Sequence, residues 1–235
     1  MKLTWLGQAG YIFTTRGGTK IMVDPYLSDN LFKLKGEKFR RCVPIDESFL
    51  HCDIDVLALT HDHDDHTDPV SIGKLLNREK KLTVLAPLNN WARLRRAYDA
   101  KHNYLMFDAG IEVCVGDAVI KAVPAAHSDV SGIGIVVDDG ETSVYHTGDT
   151  MFRRDLADGL EKPPDAMIFP INGVGNNMNA KDAKRLAGIV GAKKLFPMHW
   201  DMFASFGCDV NDFISLCSKD EYDIVVPPYY EEVEI

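Results

Sequence analysis

The sequence predicts an α/β protein, a four-layer αββα sandwich whose two similar halves pack sheet against sheet with helices outside. Three observations predict it. Short apolar strands alternate with helical segments, and strand pairs around glycine-containing turns recur in both halves. The second half also repeats the order of the first: an aspartate, an apolar strand, a loop and a helix.

The elements follow in order. "KLTWLGQAGYIFTT" and "TKIMVDP" read as strands around the Gly17-Gly18 turn. Residues 26–50 form a charged, irregular connection, and "DIDVLAL" is a buried strand ending at Thr60. Asp68 followed by Pro69 is an N-cap with proline at the first helical position, opening "PVSIGKLLNRE". "KLTVLAP" is a strand and "NNWARLRRAYD" a helix. In the second half, "GIEVCVGDAVIKAVPAAH" and "GIGIVVDDGETSVYHTGD" are strand pairs around Gly116-Asp117 and Asp139-Gly140 turns. "PPDAMIFPI" echoes "DIDVLALTH", "NAKDAKRLAGIVGA" is a helix, and "KKLFPMH" echoes "KLTVLAP". Asp24 then occupies the slot that Asp149 takes after "SVYHTGD".

Composition narrows the function. With 235 residues, 46% of them hydrophobic, the chain can bury a full core. No linker or low-complexity segment divides it, so residues 1–235 are expected to form a single domain. No 18-residue apolar run could span a membrane, and "MKLTWLGQAGYIF" lacks the layout of a signal peptide. Five cysteines without C-x-x-C spacing read as reduced thiols in a cytoplasm. The net charge of −9 disfavours nucleic-acid and membrane-surface partners, but a small anionic substrate responds to a site's local field. A homo-oligomer is compatible with all of this.

The segment "THDHDDHTDP" (60–69) carries three of the eight histidines. His61, His63, His127 and His199 each stand just past a predicted strand, as does Asp149. Side chains from strand ends of both halves can converge on one edge of a sandwich. In an extended loop His61 and His63 project to one side, and Asp65 and His66 follow as the chain turns into its helix. Imidazole and carboxylate together suit zinc, manganese or iron, and two divalent ions sharing one aspartate would use every one of these groups.

The order His61-x-His63-x-Asp65-His66, then His127, "TGD" at Asp149 and His199, resembles the metallo-β-lactamase superfamily over residues 5–203. "WLGQAG", "DPYLSD", "THDHDDHTDP" and "PMHWDMF" resemble its L-ascorbate-6-phosphate lactonase-like branch. The resemblance implies that His61, His63 and His127 hold one metal, that Asp65, His66 and His199 hold the second, and that Asp149 bridges. The flavo-diiron oxygen reductases of the same superfamily resemble Glu where His63 stands, so the residues favour hydrolysis over oxygen chemistry.

Two divalent cations balanced by Asp65, Asp149 and a bound hydroxide leave a formal excess of about +1 by ligand count. A metal-bound water of pKa roughly 7 supplies the nucleophile, a metal-bound hydroxide that Asp65 could orient. Elsewhere the plainer readings hold. His146 reads as a hydrogen-bonded core residue, His51 and His102 as surface, Asp62 and Asp64 as solvated, and Cys208 as structural. For substrate binding the candidates are Asn172 and Asn177 of "INGVGNNMN", Asp201 of "HWDMF", and Arg41 among Lys33, Lys35, Lys38 and Arg40.

The expected protein is a cytoplasmic hydrolase with two divalent ions (Zn2+ or Mn2+, with Fe2+ compatible), acting on a small anionic, phosphorylated ester or lactone. The alternatives are a phosphodiesterase acting on a nucleotide, phospholipid or nucleic acid, and a metal-dependent binding or regulatory protein without turnover.

Overall fold

The computed structural model describes residues 1–98, 100–218 and 220–235. Its first sheet opens with antiparallel β1 (Lys2–Gly7), β2 (Gly10–Thr14) and β3 (Lys20–Val23). It continues in parallel through β4 (Val56–Ala58), β5 (Thr83–Ala86) and β6 (Asn103–Met106). The second sheet opens with antiparallel β7 (Glu112–Val115), β8 (Ala118–Pro124), β9 (Ile133–Asp138) and β10 (Ser143–His146). Parallel β11 (Ala166–Pro170), β12 (Lys194–Met198) and β13 (Asp223–Ile224) complete it. The sequence repeat is therefore a repeat of topology: an antiparallel meander, then parallel strands. Strand β14 (Glu232–Glu234) crosses back to pair with β1, so the end of the chain closes the first sheet.

Three apolar layers make the sandwich. Leu3, Trp5, Phe13, Ile120, Ile135 and Phe196 meet between the sheets. Leu57 and Val84 turn outward beneath α2 (Pro69–Leu76) and α3 (Leu88–Ala97), packing on Ile72, Leu75 and Leu94. Met167 and Leu195 do the same beneath α4 (Ala180–Val190) and α5 (Val210–Leu216), on Leu186, Ala187 and Phe213. Alternate strand residues thus face alternate layers, the period-two rule at work. The Asp68 cap forms as read: its carboxylate accepts from the N–H groups of Val70 (3.3 Å) and Ser71 (3.0 Å).

Two expectations are corrected. The connection 26–50 is not structureless: it holds a short helix, α1 (Asn30–Lys35), and two single-turn 3-10 segments. His102 is not a surface residue: it is buried, accepts from Leu82 N–H at 3.2 Å and donates to the Leu76 carbonyl at 2.6 Å. Both partners are backbone groups twenty or more positions away, so its polar sequence neighbours were misleading. Strands β6, β13 and β14 and helix α5 were also not anticipated. They are short, and a pairing or packing partner decides them rather than local pattern.

The two halves are tied together at the edge opposite the histidines. Asp117, in the β7–β8 turn, accepts from Thr15 Oγ1 and Thr19 Oγ1, both at 2.6 Å, and from Gly17 N–H at 2.7 Å in the β2–β3 turn. These hydrogen bonds, the Thr15 hydroxyl first, hold its carboxyl down at about 2. A depressed carboxyl stabilises the fold above its ordinary value of 3.8, and that contribution disappears as pH falls through about 2. Asp117→Asn is expected to lower Tm at pH 7 by a few degrees, the difference vanishing near pH 2. Thermal denaturation at both pH values tests this, and an equal loss at each would rule the mechanism out.

Candidate metal centre

The residues singled out by the sequence lie at one edge of the sandwich. Asp24 follows β3, residues 60–66 follow β4, His127 follows β8, Asp149 follows β10 and His199 follows β12. Strands β8 and β10 run in the same direction because each is antiparallel to β9, so the loops after them emerge on one side.

Two donor sets meet there. His61 Nε2 and His127 Nε2 lie 3.0 and 3.2 Å from His63 Nδ1, so three imidazoles face one point. Asp65 Oδ2 stands 3.8 Å from His66 Nε2 and 3.5 Å from His199 Nε2. Asp149 lies between the sets, with Oδ1 3.4 Å from His66 Nε2 and Oδ2 3.2 and 3.9 Å from His199 and His127 Nε2.

This arrangement fits cations. His66 Nε2 and Asp149 Oδ1 are buried atoms without a hydrogen-bond partner, an expensive state unless an ion satisfies them. The electrostatics agree. Burial works against a charged His199 ring, yet Asp149 and Asp65 overcome it and push its pKa up to about 9. His66 is likewise raised despite burial, by Asp149, Asp65 and Asp24. Burial, reinforced by positive His66, pushes His61 down. The buried carboxylates therefore draw in positive charge, which divalent ions would supply in place of protons.

Behind the donor sets stand residues that orient them. Asp24, fully buried, accepts from Thr60 N–H (2.8 Å), Thr60 Oγ1 (2.5 Å) and His66 Nδ1 (2.7 Å). A proton held on Nδ1 leaves the Nε2 lone pair free for a cation. Asp24, His61 and His66 also lie close enough to hold an ion, but these three hydrogen bonds already engage both Asp24 oxygens. Gln8, missed at the sequence level except within "WLGQAG", donates from Nε2 to Asp65 Oδ2 at 2.7 Å. The same nitrogen lies 3.0 Å from His199 Nε2 and 3.4 Å from its Nδ1. Near-equal distances place the amide over the ring face, which leaves the in-plane lone pair clear. Asn90, also missed, donates to the His61 carbonyl at 2.9 Å and pins the loop.

The backbone is strained at this edge. Gln8, Asp24 and His199 hold left-handed φ values of 52°, 43° and 63°. "TGD" needs its glycine: Gly148 has φ 61°, and a Cβ there would lie 2.6 Å from the Ile133 carbonyl.

The remaining candidates are placed as follows. Asn177 Nδ2 donates to Asp149 Oδ2 at 3.0 Å, and Asn172 Nδ2 lies 3.2 Å from His199 Nδ1, so both touch residues of the donor sets directly. Asp201 accepts from the Tyr229 hydroxyl at 2.5 Å, while burial pushes its carboxyl up to about 6. Arg41 donates to the carbonyls of Val43 (3.2 Å) and Tyr26 (2.5 Å). His146 is a core residue between the Ala9 carbonyl (2.9 Å) and Gly148 N–H (3.1 Å). Asp62 pairs with Arg93 at 2.7 Å and Asp64 with Lys35 at 2.9 Å, both away from the donor sets. Cys208 lies against the Ile171 carbonyl, its thiol pushed by burial up to about 11. A groove of about 570 Å³ on the outer face of the second sheet contains no such cluster, and its lysines 121 and 162 pair with Glu161 and Asp138.

Comparison with known proteins places this geometry. A family model described as a beta-lactamase superfamily domain matches residues 19–200. A UPF0173 metal-dependent hydrolase of Hyperthermus butylicus is 29% identical over 210 residues, 87% of this chain and 86% of that protein. Igni18, a metallo hydrolase of Ignicoccus hospitalis, superposes with a TM-score of 0.75 at 20% identity, covering 99% of this chain and 97% of its own. The metallo-beta-lactamase fold protein YhfI of Bacillus subtilis gives 0.72 at 18% identity, covering 99% of both chains. With two mixed sheets, helices outside and the His/Asp cluster at one edge, the chain belongs to the metallo-β-lactamase superfamily and is a metal-dependent hydrolase.

Proposed function

We propose that the chain hydrolyses a small anionic, phosphorylated ester or lactone at a binuclear metal centre. The observation that carries the reading is Asp149, whose two oxygens face the three-imidazole set and the Asp65–His66–His199 set. Divalent ions, Zn2+ or Mn2+, would supply a Lewis acid and an acidified water when bound. The chain's own residues do the rest. Asp24 and Gln8 hold His66 and Asp65 in place, and Asp65 remains a carboxylate able to orient an attacking water. The five cysteines are unpaired, which is compatible with a reducing cytoplasm.

The anionic substrate is supported by the connection 26–50. Arg41 lies over the Tyr26 ring, 4.8 Å from its centroid, and its Nη2 is buried without a partner. Tyr26 Oη and Asn30 Nδ2, on the same connection, are also buried without partners. Cys42 N–H donates to the Met202 carbonyl at 2.7 Å, which binds the connection to the segment after His199. Unfilled donors on a connection fastened to the segment after His199 suit a phosphate. The resemblance to the lactonase-like branch points the same way.

Arg41→Ala is expected to raise KM for a phosphorylated substrate at constant metal content. A charge-assisted hydrogen bond contributes roughly 1.5–3 kcal/mol, so kcat/KM should fall about tenfold to a hundredfold. An uncharged lactone should be barely affected. Equal losses on both substrates would make Arg41 a support for the fold and remove the phosphate reading. The broader test is a panel of lactones, phosphorylated and plain, set against bis(p-nitrophenyl) phosphate. Turnover of the diester alone would make the protein a phosphodiesterase, and metal binding without turnover would leave a binding protein.

A further inference from the structure

The loop between β11 and α4 reads "NGVGNN" at 172–177. Three of its residues take left-handed backbone: Gly173 (φ 69°), Gly175 (66°) and Asn176 (63°). Glycine adopts that region freely and asparagine more readily than most residues, which accounts for the composition. The loop folds back on itself, Gly173 N–H donating to the Met178 carbonyl at 3.0 Å. Met178 N–H donates to the Thr150 carbonyl at 2.9 Å, fastening the loop beside Asp149.

This conformation brings one polar group to each part of the metal centre. The Asn176 carbonyl lies 3.2 Å from His127 Nδ1, on the far side of the ring from the Nε2 that faces His63. Asn177 Nδ2 donates to the Asp149 carboxylate at 3.0 Å. The Asn172 amide lies 3.2 Å from His199 Nδ1. A ring that ligates through Nε2, or one that is protonated, carries a hydrogen on Nδ1 and needs an acceptor there. The Asn176 carbonyl is that acceptor for His127, whereas at His199 the Asn172 nitrogen, which also donates to the Phe206 carbonyl at 3.1 Å, is the group that meets Nδ1.

We propose that residues 172–177 are a positioning loop, which sets the ring tautomers and carboxylate orientation at both donor sets and so determines metal affinity. The Asn176 contribution is conformational: its carbonyl works because its backbone is left-handed, and its side chain is dispensable. The proposal rests on the metal-centre reading of the proposed function.

The test is Co2+ affinity, measured by competition against a chromophoric chelator, together with the visible absorption of the bound cobalt. Wild type is expected to bind Co2+ with a ligand-field spectrum. Asn176→Gly, which keeps the carbonyl and the permitted backbone, should retain affinity and spectrum. Asn176→Val, whose branched side chain resists left-handed backbone, and Asn177→Ala should each weaken binding by about 10–100-fold and alter the spectrum. Circular dichroism checks that each variant is folded. Should Asn176→Val unfold, Asn177→Ala and Asn172→Ala carry the test. Variants that bind cobalt like wild type but raise substrate KM would make this a substrate-binding loop and overturn the proposal. Equal weakening by Asn176→Gly and Asn176→Val would also overturn it, by giving the side chain the role. A wild type that binds no cobalt would overturn both this inference and the metal-centre reading, whereas weakened variants beside an intact wild type support both.

Discussion

Asp149→Ala is expected to lose bound metal and with it nearly all hydrolytic activity. The carboxylate sits between the two donor sets, within 3.4 Å of His66 Nε2, 3.2 Å of His199 Nε2 and 3.9 Å of His127 Nε2. Asp65 contacts only the second set, and both oxygens of Asp24 are already engaged by Thr60 and His66. Without it, two cations held as proposed would repel with no shared counter-charge. Losing that stabilisation, several kcal/mol, corresponds to a fall of about a thousandfold or more in rate. The measurement is metal per chain by mass spectrometry, beside kcat/KM on whichever substrate the panel identifies. Asp62→Ala is the matching control, because Asp62 pairs with Arg93 and not with the centre. Full metal content and activity in Asp149→Ala would refute the bridging assignment, and equal losses in Asp62→Ala would mean that the loop is merely fragile.

The second large effect is expected at Asp24, which is fully buried and holds the His66 ring. Asp24→Ala removes the acceptor of two Thr60 hydrogen bonds and of the His66 Nδ1 contact, all in a fully buried site. Cutting one side of a buried charged pair costs about 3–5 kcal/mol because the other side is left unsatisfied. His66 also loses the group that keeps its proton on Nδ1, so metal affinity at the Asp65–His66–His199 set should drop about 10–100-fold. Chemical denaturation of the metal-free protein isolates the first effect, and metal titration of the folded fraction isolates the second. Asp24→Asn keeps an oxygen for Thr60 but turns an N–H toward one of its three donors. It should recover part of the stability and little of the affinity. If Asp24→Ala leaves both unchanged, the carboxylate has no orienting role.

By itself the sequence determined the alternation of strands and helices, the internal repeat, the Asp68 cap and the seven His/Asp residues that the fold brings to one edge. These features are local. A cap is two adjacent residues, a strand is a run of a few, and "THDHDDHTDP" places four metal-type side chains within six positions. His127, Asp149 and His199 were legible because each follows a strand, and strands of one sheet running in one direction release their loops at one edge. Only the tertiary structure decided what stands behind those side chains. Gln8 meets Asp65 across 57 positions and His199 across 191, and Asp117 reaches Thr15 across 102. No pattern of neighbours encodes contacts of that span. The same holds for His102, buried by backbone partners, and for β14, a strand only because β1 offers an open edge. The asparagines of "NGVGNN" show the division most clearly. Their turn-forming character was readable from residue type, but their contacts with His127, Asp149 and His199 exist only because the second sheet brings four separate loops to one edge. Residue chemistry is carried by the chain, whereas the distances that turn it into a site arise from packing.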